Sequence, residues 1–333
     1  MIAALVVGTT ATARIDGISA AGASPEVMRH TPAADAEIVT YGRPVFTPTV
    51  PVSPTGCPTP SLVTRAAFDH LAVETTVLDA GLAARTAAPT VDVAVSSGDD
   101  VRESRPVPDA EAAFEAGERV GRAITDDELM VAESIPGGTT TAMGVLTALG
   151  EPATVSSSLP ENPDEQKRRA VAAGLQASDL VAGSLAGKPM AAVERMGDPV
   201  LATVAGLVAG ATDGGARVTL AGGSQMVAAA ALVRHAGIDA PLAIATTSFV
   251  EADETFDLRA AADAIDLTTR VVDPGFDAED HVAFERYRSG EAKEGVGMGG
   301  ALWLAEREGV QMGAIRQRIR EYYDDLVVDD GSG

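Results

Sequence analysis

Cysteine, histidine and lysine are scarce in this sequence of 333 residues, and each scarcity excludes a class of site. Because Cys57 is the only cysteine, the chain cannot form an internal disulfide or a cysteine-rich zinc site, which favours a reducing, cytoplasmic location. The histidines have no paired spacing, so they predict neither a metal site nor a Ser-His-Asp triad. They are His30, His70, His235 and His281.

Positive charge is also scarce. The sequence has 48 Asp and Glu against 25 Lys and Arg, a formal net charge of −23, and its only lysines are Lys167, Lys188 and Lys293. An acidic surface of this kind is typical of a halophilic protein, because concentrated salt screens the self-repulsion. The sequence has no basic run or stripe, so we expect no nucleic acid partner and no binding to an anionic membrane.

No apolar run is long enough to cross a bilayer, yet 46% of the residues are hydrophobic, so the composition predicts a folded protein without a membrane span. The apolar start, Met1 to Gly8, lacks a basic flank and predicts a first strand rather than a signal peptide. Gly, Pro, Thr and Ser are then frequent, so residues 1–65 predict a long segment laid over other structure rather than regular elements.

Beyond that segment, strand and helix patterns alternate. The predicted strands are residues 73–78, 129–133, 218–221, 242–246 and 269–273. Helices between them imply an α/β fold with a mostly parallel, Rossmann-like sheet flanked by helices. We expect one α/β unit over residues 1–333 with a core of about 70–310. Residues 1–65 and 311–333 would pack as extensions or as a smaller helical and irregular subdomain.

Two glycine-rich loops each join a predicted strand to a helix. Backbone N–H groups at such a helix N-terminus favour an anion, so we expect the loops to hold a phosphate. Glycines that only permit tight turns remain an alternative. Neither loop has the Gly-Lys-Ser/Thr of a nucleoside triphosphate site, and the later glycines at 295, 297 and 299 lack the dinucleotide spacing. The predicted phosphate and ribose residues are Gly137, Gly138, Thr139, Thr140, Gly222, Gly223 and Ser224.

Two glutamates stand next to glycine-rich segments. Glu133 precedes the first loop, and Glu294 immediately precedes the segment that begins at Gly295. Most carboxylates of an acidic protein solvate its surface, but these two have apolar and glycine neighbours. A partly desolvated carboxylate has a raised pKa that suits a general base, which makes both residues candidate catalytic groups.

Four segments follow one another in an order found in a known enzyme family. They are Glu133–Thr140, Met196–Pro199, Leu220–Gln225 and Lys293–Met298. These resemble the Glu-Met-Gly-Ile-Gly-Asn-Thr-Thr, Gly-Gly-Pro-Glu, strand-Asp-Gly-Phe and Gly-Glu-Gly-Thr-Gly-Ala segments of one family. The family is the nicotinate mononucleotide:5,6-dimethylbenzimidazole phosphoribosyltransferases of cobalamin synthesis. Residues 18–22 and 31–37 resemble its archaeal branch.

The resemblance implies transfer of the ribosyl phosphate of nicotinate mononucleotide to a benzimidazole-type or other heterocyclic base. It implies Glu294 as the base, Glu133 as an orienting group, and substrate contacts at Gly295 and Gly297. It further implies a homodimer that needs no metal and no other cofactor. The acceptor base stays open. Two alternatives also stay open: a non-catalytic nucleotide-binding homologue and a Mg²⁺-dependent phosphotransferase.

Overall fold

The structure is a computed structural model that describes residues 1–22, 24–47 and 50–328. Within these residues, seven strands form one sheet in which every neighbouring pair is parallel. The strands are β1 (Ile2–Val7), β2 (Glu74–Asp79), β3 (Thr90–Asp92), β4 (Glu128–Ser134), β5 (Arg217–Ala221), β6 (Leu242–Thr247) and β7 (Leu267–Val272).

The strand order is β3-β2-β1-β4-β5-β6-β7. From β1 the chain builds the sheet outward in one direction through β3, and then in the other direction from β4 to β7. This reversal between β1 and β4 is the topological switch point of a Rossmann-type sheet, where ligands bind beyond the carboxyl ends of the strands. The predicted α/β fold with a parallel sheet flanked by helices is confirmed.

Helices connect the strands and cover both faces of the sheet. They are α1 (Pro25–Met28), α2 (Thr31–Tyr41), α3 (Ser61–Phe68), α4 (Ala110–Ala123), α5 (Gly138–Leu149), α6 (Asp164–Ala177), α7 (Pro189–Met196), α8 (Pro199–Asp213), α9 (Ser224–His235), α10 (Ser248–Glu251), α11 (Leu258–Ala264), α12 (Val282–Arg288), α13 (Met298–Arg307) and α14 (Met312–Tyr323). Among the described residues, every helix is too short or too polar to span a bilayer.

The alternation of side chains along β1 separates two hydrophobic cores. Ala4 and Val6 face a core shared with α4 to α9 and α11. Ala3, Leu5 and Val7 face a second core built with α2, α3, α12, α13 and α14. Helices from both termini therefore form the layer on one face, as the predicted smaller helical part required. The division into a core of 70–310 and terminal extensions stays a prediction, and β1 lies at the middle of the sheet.

The first strand predicted at the apolar start is confirmed as β1, but the prediction that the rest of residues 1–65 lacks regular elements is wrong, because it contains α2 and most of α3. Three of its prolines and glycines lie at the ends of these helices. Pro32 stands at the first turn of α2, where a missing N–H costs nothing, and Gly42 ends that helix with φ +80°. Pro60 likewise precedes α3. Turn-forming residues here mark boundaries of helices.

The α4–α8 pair packs with its backbones in direct contact. A Cβ added at Gly206 of α8 would lie 2.0 Å from the carbonyl oxygen of Phe114, and one added at Gly117 of α4 would lie 2.3 Å from that of Thr203. Gly121 and Gly210 meet the facing helix in the same way. Glycine is therefore required along this contact, because any side chain would push the helices apart.

Candidate active site

A cavity opens beyond the carboxyl ends of the central strands, at the switch point. Its empty volume is about 930 Å³, including space open to solvent. Three walls surround it: the glycine loops with the end of β4, the serine run 156–158, and an N-terminal wall drawn from residues 19–60. The segment 292–296 completes the lining.

Glu294 lies at the N-terminus of α13 and lines the cavity. Its Oε1 accepts hydrogen bonds from the Gly299 amide at 2.9 Å and the Gly295 amide at 3.2 Å, and its Oε2 accepts one from Thr246 Oγ1 at 3.2 Å. Burial raises the pKa of this carboxyl to about 7, although these donors oppose the rise. Glu294 is thus held in a fixed position with a pKa that suits a general base near neutral pH.

Glu133 is the penultimate residue of β4 and is also buried against the cavity. Burial raises the pKa of its carboxyl to about 8, and the negative charges of Asp198, Glu294 and Asp35 raise it further. The backbone ties the two glutamates together, because the Val296 amide donates to the Glu133 carbonyl oxygen at 3.0 Å. The two predicted catalytic carboxylates therefore line one cavity.

The glycine loops bring two helix N-termini to this cavity. Gly137 precedes α5 with φ +83°, and a Cβ there would lie 2.9 Å from the Ala13 amide nitrogen, so both conformation and space require glycine. Gly223 precedes α9, whose first residue, Ser224, accepts a hydrogen bond from the Ser156 amide at 2.7 Å. The partial positive charge at both helix ends favours an anionic ligand.

The structure brings most of the predicted site residues together. Those that line the cavity are Glu133, Gly137, Gly138, Thr139, Gly223, Ser224, Glu294 and Gly295. Three others lie behind its wall, which corrects their predicted place. Gly222 packs on Met226, and Gly297 packs on Ala132 as the N-terminal glycine of α13. Thr140 is fully buried in the first turn of α5, and its hydroxyl has no hydrogen-bond partner among the residues that the structure describes.

Sequence reasoning missed the N-terminal wall and the serine run. Asp35, Ser53 and Thr59 line the cavity, and no local pattern marks them. The scarcity of lysine could have pointed to the serine run, because two of the three lysines are buried beneath it. Lys167 Nζ donates to the Ser156 carbonyl oxygen at 2.8 Å, and Lys293 Nζ donates to that of Ser157 at 3.1 Å.

The residues flanking Glu294 form hydrogen bonds and an ion pair that connect the N-terminal wall to the serine run. Glu291 accepts hydrogen bonds from Ser53 Oγ at 2.6 Å and from Thr55 Oγ1 at 2.5 Å, which holds the N-terminal wall. Lys293 pairs with Asp253 at 3.2 Å and holds the serine run. The position of the Glu294 carboxylate is therefore coupled to the shape of the whole cavity.

Chemically, the cavity combines amide donors at helix ends with carboxylates of raised pKa. Within the part of the chain that the structure describes, no three His, Cys, Asp or Glu side chains are grouped as metal ligands. The donors can hold an anionic group, while Glu294 can accept a proton from a bound partner. This arrangement suits a reaction that needs a held anion and a general base.

No family model matches the sequence, but relatives cover nearly all of it. A UPF0284 protein of Halobacterium salinarum is 57% identical over 322 residues, covering 96% of this chain and 97% of the relative. A UPF0284 protein of Methanothermobacter thermautotrophicus is 42% identical, with coverages of 95% and 90%. One from Pyrococcus furiosus is 36% identical, with coverages of 97% and 98%.

Solved structures share the fold. CobT from Thermus thermophilus aligns with a TM-score of 0.64 and 19% identity, covering 97% of this chain and 83% of that one. A nicotinate-nucleotide-dimethylbenzimidazole phosphoribosyltransferase from the same organism gives a TM-score of 0.63 and 18% identity, with coverages of 100% and 86%. The predicted resemblance is therefore confirmed at the level of the fold. On the identity and coverage of its relatives, the chain belongs to the UPF0284 family.

Proposed function

We propose that this protein is a phosphoribosyltransferase that moves the ribosyl phosphate of nicotinate mononucleotide to a ring nitrogen of a benzimidazole-type or other heterocyclic base and releases nicotinate. The observation that carries the proposal is the meeting of Glu294 with two glycine-fronted helix N-termini in one cavity at the switch point. The shared fold of the Thermus enzymes supports it.

In this reaction the C1′–N bond to the pyridinium ring breaks, and nicotinate leaves with the electron pair, which neutralises its ring nitrogen. A ring nitrogen of the acceptor forms the new bond to C1′, and the proton that the acceptor ring loses goes to Glu294. The donor already carries a good leaving group. The protein therefore contributes mainly position and electrostatic stabilisation, together with proton removal.

The glycine loops and the two glutamates have roles in this proposal. The amides of Gly137 and Gly223 hold the donor phosphate, because helix N-termini attract dianions. Glu133 lies beside them and orients the sugar through hydrogen bonds of its carboxyl group, which keeps its proton up to about pH 8. The charge of Glu294 also favours the positive charge that develops at C1′ as the pyridinium departs. The homodimeric state and the cytoplasmic location stay predictions.

The test is an incubation in concentrated salt with nicotinate mononucleotide and a panel of benzimidazoles and purines, with mass detection of new riboside phosphates. We expect wild type to form a product and Glu294→Gln to lose roughly 10²-fold or more in transfer rate. Glu111→Gln, on an exposed position of α4, is the matched control and should act like wild type.

The same experiment separates the alternatives. Thermal stabilisation by nicotinate mononucleotide without release of nicotinate from any mixture would indicate a non-catalytic homologue. Binding of ATP that depends on Mg²⁺, without binding of nicotinate mononucleotide, would indicate a phosphotransferase. Either result would replace the proposed function.

A further inference from the structure

The N-terminal wall of the cavity contains a buried carboxylate that the proposed reaction does not use. Asp35, on α2, lines the cavity and is 1% exposed. Its Oδ1 accepts a hydrogen bond from Thr59 Oγ1 at 2.6 Å, and its Oδ2 accepts one from Ser134 Oγ at 2.7 Å. Its hydrogen-bond partners are thus hydroxyl groups, which rotate freely and adapt to a ligand.

Asp35 is costly to bury in this setting. Within residues 1–22, 24–47 and 50–328 it forms no ion pair with an arginine, lysine or histidine. Burial raises the pKa of its carboxyl to about 6, although the hydroxyls of Thr59, Ser134 and Ser61 oppose the rise. A buried carboxylate without a cation is destabilising unless further donors satisfy it. A ligand that fills the cavity can supply such donors.

The carboxylate also has capacity for another hydrogen bond. Two carboxylate oxygens offer about four acceptor positions, and the hydroxyl groups leave part of them free. A methyl group placed against Asp35 would instead bury the carboxylate beside an apolar surface and weaken binding. The chemistry of this wall therefore favours a ligand edge that donates hydrogen bonds.

Asp35 lies between Ser134 at the end of β4 and the N-terminal segment that packs beside the proposed base. Thr59, its hydrogen-bond donor, is followed by Pro60, whose ring lies 3.4 Å from the Cβ position of Gly295, the residue after the proposed base. Thr64, one turn into α3, donates to the Val296 carbonyl oxygen at 2.8 Å. Asp35 thus belongs to the wall that packs on the Glu294 segment.

We infer that the acceptor base carries a hydroxyl, amino or ring N–H group on the edge remote from its attacking nitrogen, and that Asp35 accepts a hydrogen bond from this group. The inference rests on the proposed function and specifies its acceptor class. Hydroxylated benzimidazoles and aminopurines have the required donor, and dimethylbenzimidazole does not. A site that hydrogen-bonds a substrate group discriminates strongly against an analogue without it, because its own polar groups are then left unpaired.

The experiment compares matched acceptor pairs: hydroxybenzimidazole with methylbenzimidazole, and adenine with unsubstituted purine. For each pair, kcat/KM for transfer and the dissociation constant from calorimetry are measured. We expect wild type to favour the donor-bearing member of at least one pair by about 100-fold or more, and the two pairs distinguish a hydroxylated from an amino-bearing acceptor. A ratio near one for both pairs, or a preference for the methyl compound, would overturn the inference.

Asp35→Asn should reduce the preferred ratio to roughly tenfold or less, because the amide also presents a donor to the ligand. Glu37→Gln is the matched control, since Glu37 is a buried carboxylate two residues further along α2 that binds the amides of Val45 and Ala87. It should keep the wild-type ratio, and an equal fall in both variants would contradict the role of Asp35.

The dissociation constants distinguish a failure of this inference from a failure of the proposed function. Absence of transfer to every acceptor counts against the proposed function, whereas the dissociation constants of the wild-type pairs still decide the inference.

Discussion

The α4–α8 helix pair and the cavity are both rich in glycine, but a side chain added at Gly206 of the helix pair and one added at Gly223 of the cavity would meet different surroundings. At Gly206 the Cβ would lie 2.0 Å from the Phe114 carbonyl oxygen. At Gly223 the nearest atoms would be on Val250 at 3.8 Å and on Glu294 at 3.9 Å, which is ordinary contact distance. Gly206 allows two helices to pack closely, whereas Gly223 leaves space for a ligand.

The two regions also differ in what they bury. The interior of α8 is apolar apart from Thr203, whose hydroxyl donates to the Pro199 carbonyl oxygen within the helix. Around the cavity, burial raises the pKa of Asp35 to about 6, of Glu133 to about 8 and of Glu294 to about 7. Tight packing in one part of the fold offsets the unfavourable burial of charge that the candidate active site requires.

The largest effect on stability should follow from Gly206→Ala. The added methyl group collides with a helix backbone, so we expect the free energy of unfolding to fall by about 3 kcal/mol. Gly214→Ala is the control at the end of the same helix, where φ is −74° and the nearest atom is 3.4 Å away. It should change stability by less than about 0.5 kcal/mol. Denaturant unfolding in concentrated salt measures both, and equal stabilities would contradict the account of this contact.

A smaller effect, of opposite sign, should follow from Glu133→Gln. Because the folded-state pKa of Glu133 is raised to about 8, the folded state binds more protons than the unfolded state between about pH 4 and pH 8. The free energy of unfolding therefore falls as pH rises through this window. Removing the charge should make the variant more stable than wild type by roughly 2 kcal/mol at pH 8 and leave a shallower pH slope.

Unfolding curves at pH 5 and pH 8 test this difference, with Glu111→Gln as the exposed control that should keep the wild-type slope. A Glu133→Gln slope as steep as that of wild type would show that Glu133 does not carry the buried charge.

The smallest effect on stability should follow from Gly223→Ala. The open surroundings predict a change below about 0.5 kcal/mol, but the methyl group enters the space proposed for the donor. We expect the affinity for nicotinate mononucleotide to fall about tenfold, or about 1.4 kcal/mol. Calorimetric titration measures this affinity, and Gly214→Ala should bind like wild type. Unchanged affinity in Gly223→Ala would place the donor elsewhere.

The sequence predicted the parts of the fold whose signals are local. Apolar runs predicted β1, β2 and β4 to β7, but not β3, which is a three-residue edge strand with exposed side chains. The helices α2 and α3 were missed because their bounding prolines and glycines resembled loop composition. Burial against the sheet stabilises these two helices, and a local sequence pattern does not predict such a tertiary contact.

The candidate site divides in the same way. Glu133 and Glu294 could be predicted because each adjoins a glycine-rich segment, and parallel strands bring such segments to one edge of the sheet. Asp35 could not, since its partners Thr59 and Ser134 come from distant parts of the chain. Hydroxyl residues are too common in a sequence to mark a site unless the fold assembles them.

The central claim, that Glu294 removes the acceptor's proton, is tested most directly by the pH dependence of kcat/KM for the acceptor in wild type and in Glu294→Gln. The carboxyl must be ionised to act, so the wild-type value should rise about tenfold per pH unit below the pKa of about 7 and level off above it. Glu294→Gln should be slow and nearly independent of pH over the same range. A variant that keeps the wild-type rise would contradict the claim, because another group would then be the base.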